Sequence, residues 1–194
     1  IKNGTSSILI KYKSNKYEAS PLIILCDISG SMSSYSRMFL HFIHALTEKR
    51  KNVFTFLFGT RLTNISRYLK YYDIDVALDN VSKKVLDWSG GTRIGECIRD
   101  YNKNWSKRVE NGNSIILIIT DGLDRGSSHK LEKEMQRLKK TCYKIIWLNP
   151  LLRYKKYEAL ASGAAAMLPY VDEMRKIHNL NSMQEFTESL NKRI

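Results

Sequence analysis

The stretch Leu22-Ile23-Ile24-Leu25-Cys26-Asp27-Ile28-Ser29-Gly30-Ser31-Met32 leaves this chain little freedom in how it folds. A continuous apolar run closed by a Gly-containing turn reads as a strand buried on both faces, and such strands belong at the centre of a parallel sheet covered by helices. Its carboxyl end delivers an acid and two hydroxyls, at alternate positions, to the edge where open α/β sheets bind ligands. Asp27, Ser29 and Ser31 are all oxygen donors, and in a tight turn alternate residues converge on one point. Hard cations such as Mg²⁺ take that chemistry and leave positions for water or an outside ligand. With hydroxyls in place of two carboxylates, the ion would stay under-neutralised and attract a negative group from another molecule. A plainer reading has Asp27 capping the following helix and the serines satisfying turn amides.

Two later segments bear on that choice. Trp88-Ser89-Gly90-Gly91-Thr92-Arg93 is a Gly-rich loop that presents a hydroxyl just ahead of a helical pattern, and Ser114-Ile115-Ile116-Leu117-Ile118-Ile119-Thr120-Asp121-Gly122 is a second apolar strand ending in an acid. Asp-x-Ser-x-Ser, then Thr, then Asp, in this order and spacing, resemble the metal-ion-dependent adhesion site of von Willebrand factor A domains. That resemblance implies that Ser29, Ser31 and Thr92 offer oxygens to one ion, while Asp27 and Asp121 contact it directly or through water. It also implies Mg²⁺, or Mn²⁺ or Ca²⁺ in its place, and a partner's Asp or Glu completing the coordination.

Between and beyond these segments, strand and helix patterns alternate. Met38, Phe39, Phe42, Ile43 and Leu46 recur at helical spacing from a start near Ser33 or Ser34, with Arg37, His41, His44 and Glu48 on other faces. None of the histidines sits at ligand spacing from a second His or Cys, so they read as structural or solvated. Val53 to Gly59 is a strand, with Leu62 to Ile65 as a short antiparallel edge strand beside it. Ile74, Ala77, Leu78, Val81 and Val85 mark a helix capped near Asp73. Ile94, Cys97, Ile98, Tyr101 and Trp105 mark another, and Asn111-Gly112-Asn113 breaks it. In the polar loop after Asp121, Asp124 and Arg125 either border the ion or cap and pair locally, the local reading being the plainer one. Leu131, Met135 and Leu138 mark a further helix. Tyr143 to Leu148 is a strand halted by Asn149-Pro150, and Leu151 to Ala161 carries a short helical pattern. Ala164 to Val171 reads as a final strand, with Pro169 at its edge or end, and Glu173 to Leu190 as polar helical turns. The alternation predicts an α/β fold: a doubly wound, mostly parallel central sheet with helices on both faces and one short antiparallel edge strand.

Leu25 to Met32, Phe56 to Leu62, Asp87 to Gly95, Asp121 to Gly126, Trp147-Leu148-Asn149-Pro150 and Leu168-Pro169-Tyr170-Val171-Asp172 are together similar to the bacterial CoxE-like branch of von Willebrand factor A proteins, over roughly residues 21 to 180. The resemblance implies an intracellular, partner-binding accessory to a MoxR-type AAA+ ATPase, acting in protein assembly or metal-cofactor maturation; the namesake system concerns carbon monoxide dehydrogenase. Members are usually longer on the amino-terminal side. That agrees with a first residue that is Ile rather than Met, which reads as a fragment or processed product.

Length sets the domain count. The 194 residues, 43% of them apolar, suffice for one full core, so residues 1–20 read as a lead-in and 21–194 as one domain. No apolar run reaches the ~20 residues of a membrane span. Cys26, Cys97 and Cys142 fall inside apolar patterns without Cys-x-x-Cys spacing; they read as small core residues of a reducing compartment, which points to the cytoplasm. The formal net charge of +13 raises RNA binding as an alternative, but the basic groups are dispersed along the chain and read as solvated helix faces. A Mg-dependent phosphohydrolase would want Asp-x-Asp where Ser29 stands. Walker-type Gly-Lys-Ser/Thr, His-Glu-x-x-His and Gly-x-Ser-x-Gly patterns do not occur, so the chain does not read as an enzyme.

Overall fold

A computed structural model describes residues 20–70, 73–85, 91–109, 112–154, 159 and 161–192. Six strands form one sheet: β1 (Leu22–Asp27), β2 (Val53–Phe58), β3 (Leu62–Asn64), β4 (Ile115–Ile119), β5 (Lys144–Asn149) and β6 (Glu173–Lys176). Their order is β3-β2-β1-β4-β5-β6, and every pairing is parallel except β2 with β3. Among the described residues seven helices accompany them: α1 (Ser33–Lys49), α2 (Ile74–Lys84), α3 (Ile94–Asn104), α4 (Ser106–Val109), α5 (Ser128–Thr141), α6 (Ser162–Met167) and α7 (Leu180–Lys192).

The unbroken apolar runs of β1 and β4 follow from burial on both faces. Successive side chains of a strand point to opposite sides, so Leu22, Ile24 and Cys26 enter the core layer that contains Phe39, Ile43 and Phe186, whereas Ile23 and Leu25 enter the one that contains Ile98, Leu131 and Trp147. Strand β1 lies between β2 and β4, and the chain reverses its direction of travel across the sheet there. The loops after β1 and β4 therefore part at their carboxyl ends and open a cleft, as the doubly wound topology requires.

Local signals place most elements where the sequence predicts them. Helix α2 begins at Asp73, whose carboxylate accepts the amides of Asp75 at 2.8 Å and Val76 at 3.2 Å. Asp73→Ala leaves those donors to water and is expected to cost about 1 kcal/mol, readable as a shifted urea midpoint with an unchanged slope.

Two expectations fail. Ala164 to Val171 is not a strand: the residues form α6 and a 3-10 turn at Leu168–Tyr170, because the Ala164-Ala165-Ala166 run has the strongest helix propensity of any residue type. The last strand is instead Glu173–Lys176, taken from the stretch read as helical turns, and only the later part of that stretch, α7, is helical. An edge strand buries little, so the sequence Glu-Met-Arg-Lys gives no hydrophobic signal. Pairing with β5 and the ion pairs of Glu173 with Lys144 and Arg175 hold it in place. Of the histidines read as structural or solvated, His44 is buried, at 5% exposure, and His41 faces solvent. The described start of the helical pattern from Leu151 to Ala161 is a 3-10 turn at Pro150–Arg153, and residues 155–158 and 160 lie outside the described residues. Residues 1–19 of the lead-in and Trp88-Ser89-Gly90 lie outside the described residues. Among the described residues no helix is long and apolar enough to cross a membrane.

Candidate metal centre

Ser29, Gly30, Ser31, Gly91, Thr92, Asp124 and Arg125 line one cavity of about 400 Å³ at the carboxyl edge of the sheet. Strand β1 supplies the serine turn, the approach to α3 supplies Thr92, and the loop after β4 supplies Asp124 and Arg125. The Ser29 and Ser31 hydroxyl oxygens are 3.2 Å apart. Asp27 and Asp121 do not line the cavity; both are buried, at 0% and 3% exposure.

The helix-capping alternative for Asp27 fails on geometry. Helix α1 starts after Met32 with no side-chain cap. One Asp27 oxygen, Oδ1, accepts the Ser29 amide at 2.8 Å and so shapes the turn; the other, Oδ2, accepts the Thr120 hydroxyl at 2.7 Å. Burial lifts the Asp27 carboxyl from the ordinary 3.8 to about 6, and the nearby Asp121 adds to the lift, against the opposing pull of the Ser29 and Thr120 hydrogen bonds. Among the described residues no cation pairs with either carboxyl. Asp121 Oδ1 accepts the Leu123 amide at 3.0 Å.

Two residues have larger parts than the sequence suggests. Thr120 is fully buried, bridges Asp27 to the Gly122 amide at 3.1 Å, and accepts the Trp147 indole N–H on its carbonyl at 2.8 Å. Its only signal is a hydroxyl one position before Asp-Gly at a strand end. Asp124 does more than pair locally. Its Oδ1 accepts the Ile94 amide at the start of α3 at 2.9 Å as well as the Gly126 amide at 3.1 Å, and Arg125 N–H donates to the Thr92 carbonyl at 3.0 Å. These bonds tie the Thr92 segment to the Asp121 loop across a long sequence interval. Asp124 Oδ2 is buried with no hydrogen-bond partner.

The donor set suits a hard divalent cation. It combines neutral hydroxyls with buried carboxyls that lack a counter-charge, which is oxygen-only chemistry. Among the described residues no three His, Cys, Asp or Glu side chains converge as a metal-holding group, so hydroxyls would have to supply much of any coordination here.

A family profile described as "VWA domain containing CoxE-like protein" matches residues 1–183. Comparison with curated proteins returns no match. Among solved structures, BatB from Bacteroides thetaiotaomicron is similar over 90% of this chain and 98% of its own, with 16% identity and a TM-score of 0.57. A von Willebrand factor type A protein from Catenulispora acidiphila is similar over 90% of this chain and 42% of its own, with 15% identity and a TM-score of 0.59. Proximal thread matrix protein 1 from the mussel byssus, in a form with a zinc-occupied MIDAS motif, is similar over 88% of this chain and 46% of its own, with 15% identity and a TM-score of 0.56. The chain thus spans less than half of the mussel and Catenulispora proteins. At these identities the likeness shows the fold.

Proposed function

Because this chain belongs to the VWA domain containing CoxE-like protein family, we propose that it is a metal-dependent protein–protein interaction module and not an enzyme. Asp27, Ser29, Ser31, Thr92 and Asp121 would hold one divalent ion, Mg²⁺ in the first place and Mn²⁺ or Ca²⁺ in the second. The observation that carries this reading is the pair of buried carboxyls without a cation, set behind a cavity lined by Ser29, Ser31 and Thr92. A bound cation would supply positive charge that the hydroxyls do not neutralise, and so an attraction for the Asp or Glu of a partner. The zinc-occupied MIDAS of the mussel protein supports a divalent ion on this fold.

The chain's own residues prepare that site. Asp27 fixes the serine turn through the Ser29 amide, and Asp124 and Arg125 fix the Thr92 segment. The domain is proposed to comprise residues 21–194 and to serve a MoxR-type AAA+ ATPase in assembly or metal-cofactor maturation. A cytoplasmic setting is supported by three buried cysteines, none of them in a disulfide among the described residues; burial and the neighbouring Asp27 raise the Cys26 thiol and keep it unreactive.

Calorimetric titration with Mg²⁺ tests the reading. Ser29→Ala and Thr92→Ala each remove one neutral oxygen without leaving a charge behind, and each is expected to weaken binding by about ten-fold or more, equivalent to about 1.4 kcal/mol. Ion binding unchanged in both variants would reject the site.

A further inference from the structure

Arg99 and Lys103 of α3 and Lys130, Lys133 and Arg137 of α5 are separate in the sequence and neighbours in the fold. All five are exposed. They recur at four-residue spacing on α3 and at three and four on α5, so each helix presents one basic row. The helices cross closely enough to merge the rows: a Cβ on Gly95 would sit 3.1 Å from the Leu131 backbone. Two cavities lie along this surface. One, of about 590 Å³, includes Arg61, Arg99 and Lys103; the other, of about 290 Å³, includes Arg99, Lys130, Lys133 and Arg137. Both include Glu96 and Arg99, so the two adjoin, and together they are the α3–α5 groove.

The acids of the groove are already committed. Glu134 is 5% exposed and holds Arg137 at 3.0 Å and the Asn102 amide at 3.0 Å. Glu96 faces Arg93 at 3.4 Å, and Asp100 accepts from Asn104. Among the described residues Arg99, Lys103, Lys130 and Lys133 have no ion pair. Like charges at such spacing cost about 0.2–0.5 kcal/mol per pair in an isolated helix. Both helices also lead away from the candidate metal centre in sequence. Helix α3 begins two residues after Thr92, and α5 begins three residues after Arg125, both of which line that cavity.

We propose that an acidic segment of a protein partner lies along the α3–α5 groove, in continuation of the carboxylate that enters the metal cavity. Only its point of departure rests on the metal-dependent reading given above. Lys130 and Arg137 are about 10 Å apart along the α5 axis at 1.5 Å per residue. An extended segment covers that with about three residues, so a few Asp or Glu side chains beyond the metal-bound one suffice. A protein segment fits better than a nucleic acid. No aromatic side chain lines either cavity for a base to stack on.

The test uses the whole chain and two fluorescent probes of about ten units each, a peptide of Glu residues and an oligo(U) RNA, read by anisotropy in Mg²⁺ and in chelator. The charge reversals Lys130→Glu with Lys133→Glu, and Arg99→Glu with Lys103→Glu, are compared with Lys83→Glu and Lys84→Glu on α2. Each groove pair is expected to weaken the Glu peptide by about ten-fold or more, and the α2 pair by less than about two-fold. Circular dichroism checks that the variants fold. Retention of the groove effect in chelator supports the groove even if the metal reading fails. Groove reversals that leave peptide binding unchanged overturn the proposal while leaving the metal reading in place. Groove-dependent binding of oligo(U) that is tighter than that of the peptide overturns it in favour of RNA.

Discussion

Asp27→Asn is expected to make the metal-free protein more stable at neutral pH while abolishing its stabilisation by divalent ions. The Asp27 carboxyl titrates near about 6 in the folded protein against the ordinary 3.8, because burial disfavours its charged form. That difference corresponds to about 3 kcal/mol of folding free energy lost when the group is ionised. The sign follows from proton binding: the folded state holds the Asp27 proton more tightly than the unfolded chain does. The contribution is therefore fully present below pH 3.8 and is lost as pH rises through about 6. Asparagine keeps the acceptor for the Ser29 amide but presents an N–H₂ to Thr120, whose hydroxyl then lacks the acceptor it now has at 2.7 Å. An unmade buried hydrogen bond of this kind costs about 1 kcal/mol. The net expectation is a gain of about 2 kcal/mol at neutral pH in chelator and a flatter stability profile between about pH 4 and 7. At about a hundred times its Kd, a divalent ion adds about 2.7 kcal/mol to the wild type and nothing to the variant, so the order of stability reverses. Thermal melts of both proteins over that pH range, with and without Mg²⁺, measure this. A variant less stable than the wild type in chelator would refute the account of Asp27 as an uncompensated buried charge.

The second large effect comes from packing. The amino end of α6 presses on the loop that carries Asp121 and Asp124, and a Cβ on Gly163 would stand 2.5 Å from the Gly122 carbonyl oxygen and 2.7 Å from Asp124 Cβ. The closest of these is a backbone atom, so no rotamer change relieves the contact. Gly122 itself has φ +82° and lies against Trp147, so the loop has little room to retreat. Overpacking of this kind costs about 3 kcal/mol. In a chain of this length Gly163→Ala should lower Tm by roughly 6–12 °C. Because the loop yields first, metal affinity should fall with it. Gly91→Ala is the contrasting case: the atoms nearest its Cβ among the described residues would belong to the flexible Arg125 side chain, at 3.3 Å, and its melting temperature should stay close to wild type. Equal stabilities for the two alanine variants would show that the α6 contact does not constrain the site.

The central strands were legible because residues that must bury both faces leave a continuous apolar record. Leu22 to Cys26 and Ile115 to Ile119 therefore stand out without any knowledge of their neighbours. Helix α2 was legible through Asp73, and the start of α1 through the Gly30 turn. Strand β6 was not, since an edge strand needs only one partner and leaves its charged side chains in water. The run of alanines ahead of it misled for the opposite reason, being apolar enough for a buried strand yet intrinsically helical. At the candidate metal centre, Asp27, Ser29, Ser31, Thr92 and Asp121 are the ligands that the resemblance to a metal-ion-dependent adhesion site implies, and they stand as a proposal. Their supports were not legible in the sequence. Thr120 looks like any strand-end hydroxyl until its distance to Asp27 is known, and Asp124 looks like a turn former until its bond to Ile94 is seen.

The sequence alone determined the layered α/β architecture and the oxygen donors at its edge, because apolar periodicity and residue chemistry are properties of short stretches of chain. Only the tertiary structure decided that Asp27 and Asp121 are buried without a cation, that Asp124 braces the Thr92 segment, and that dispersed lysines and arginines line two adjoining cavities. Those are relations between residues tens of positions apart. Coulomb and hydrogen-bond energies depend on distance in space and on local burial, and neither is written along the chain until it has folded.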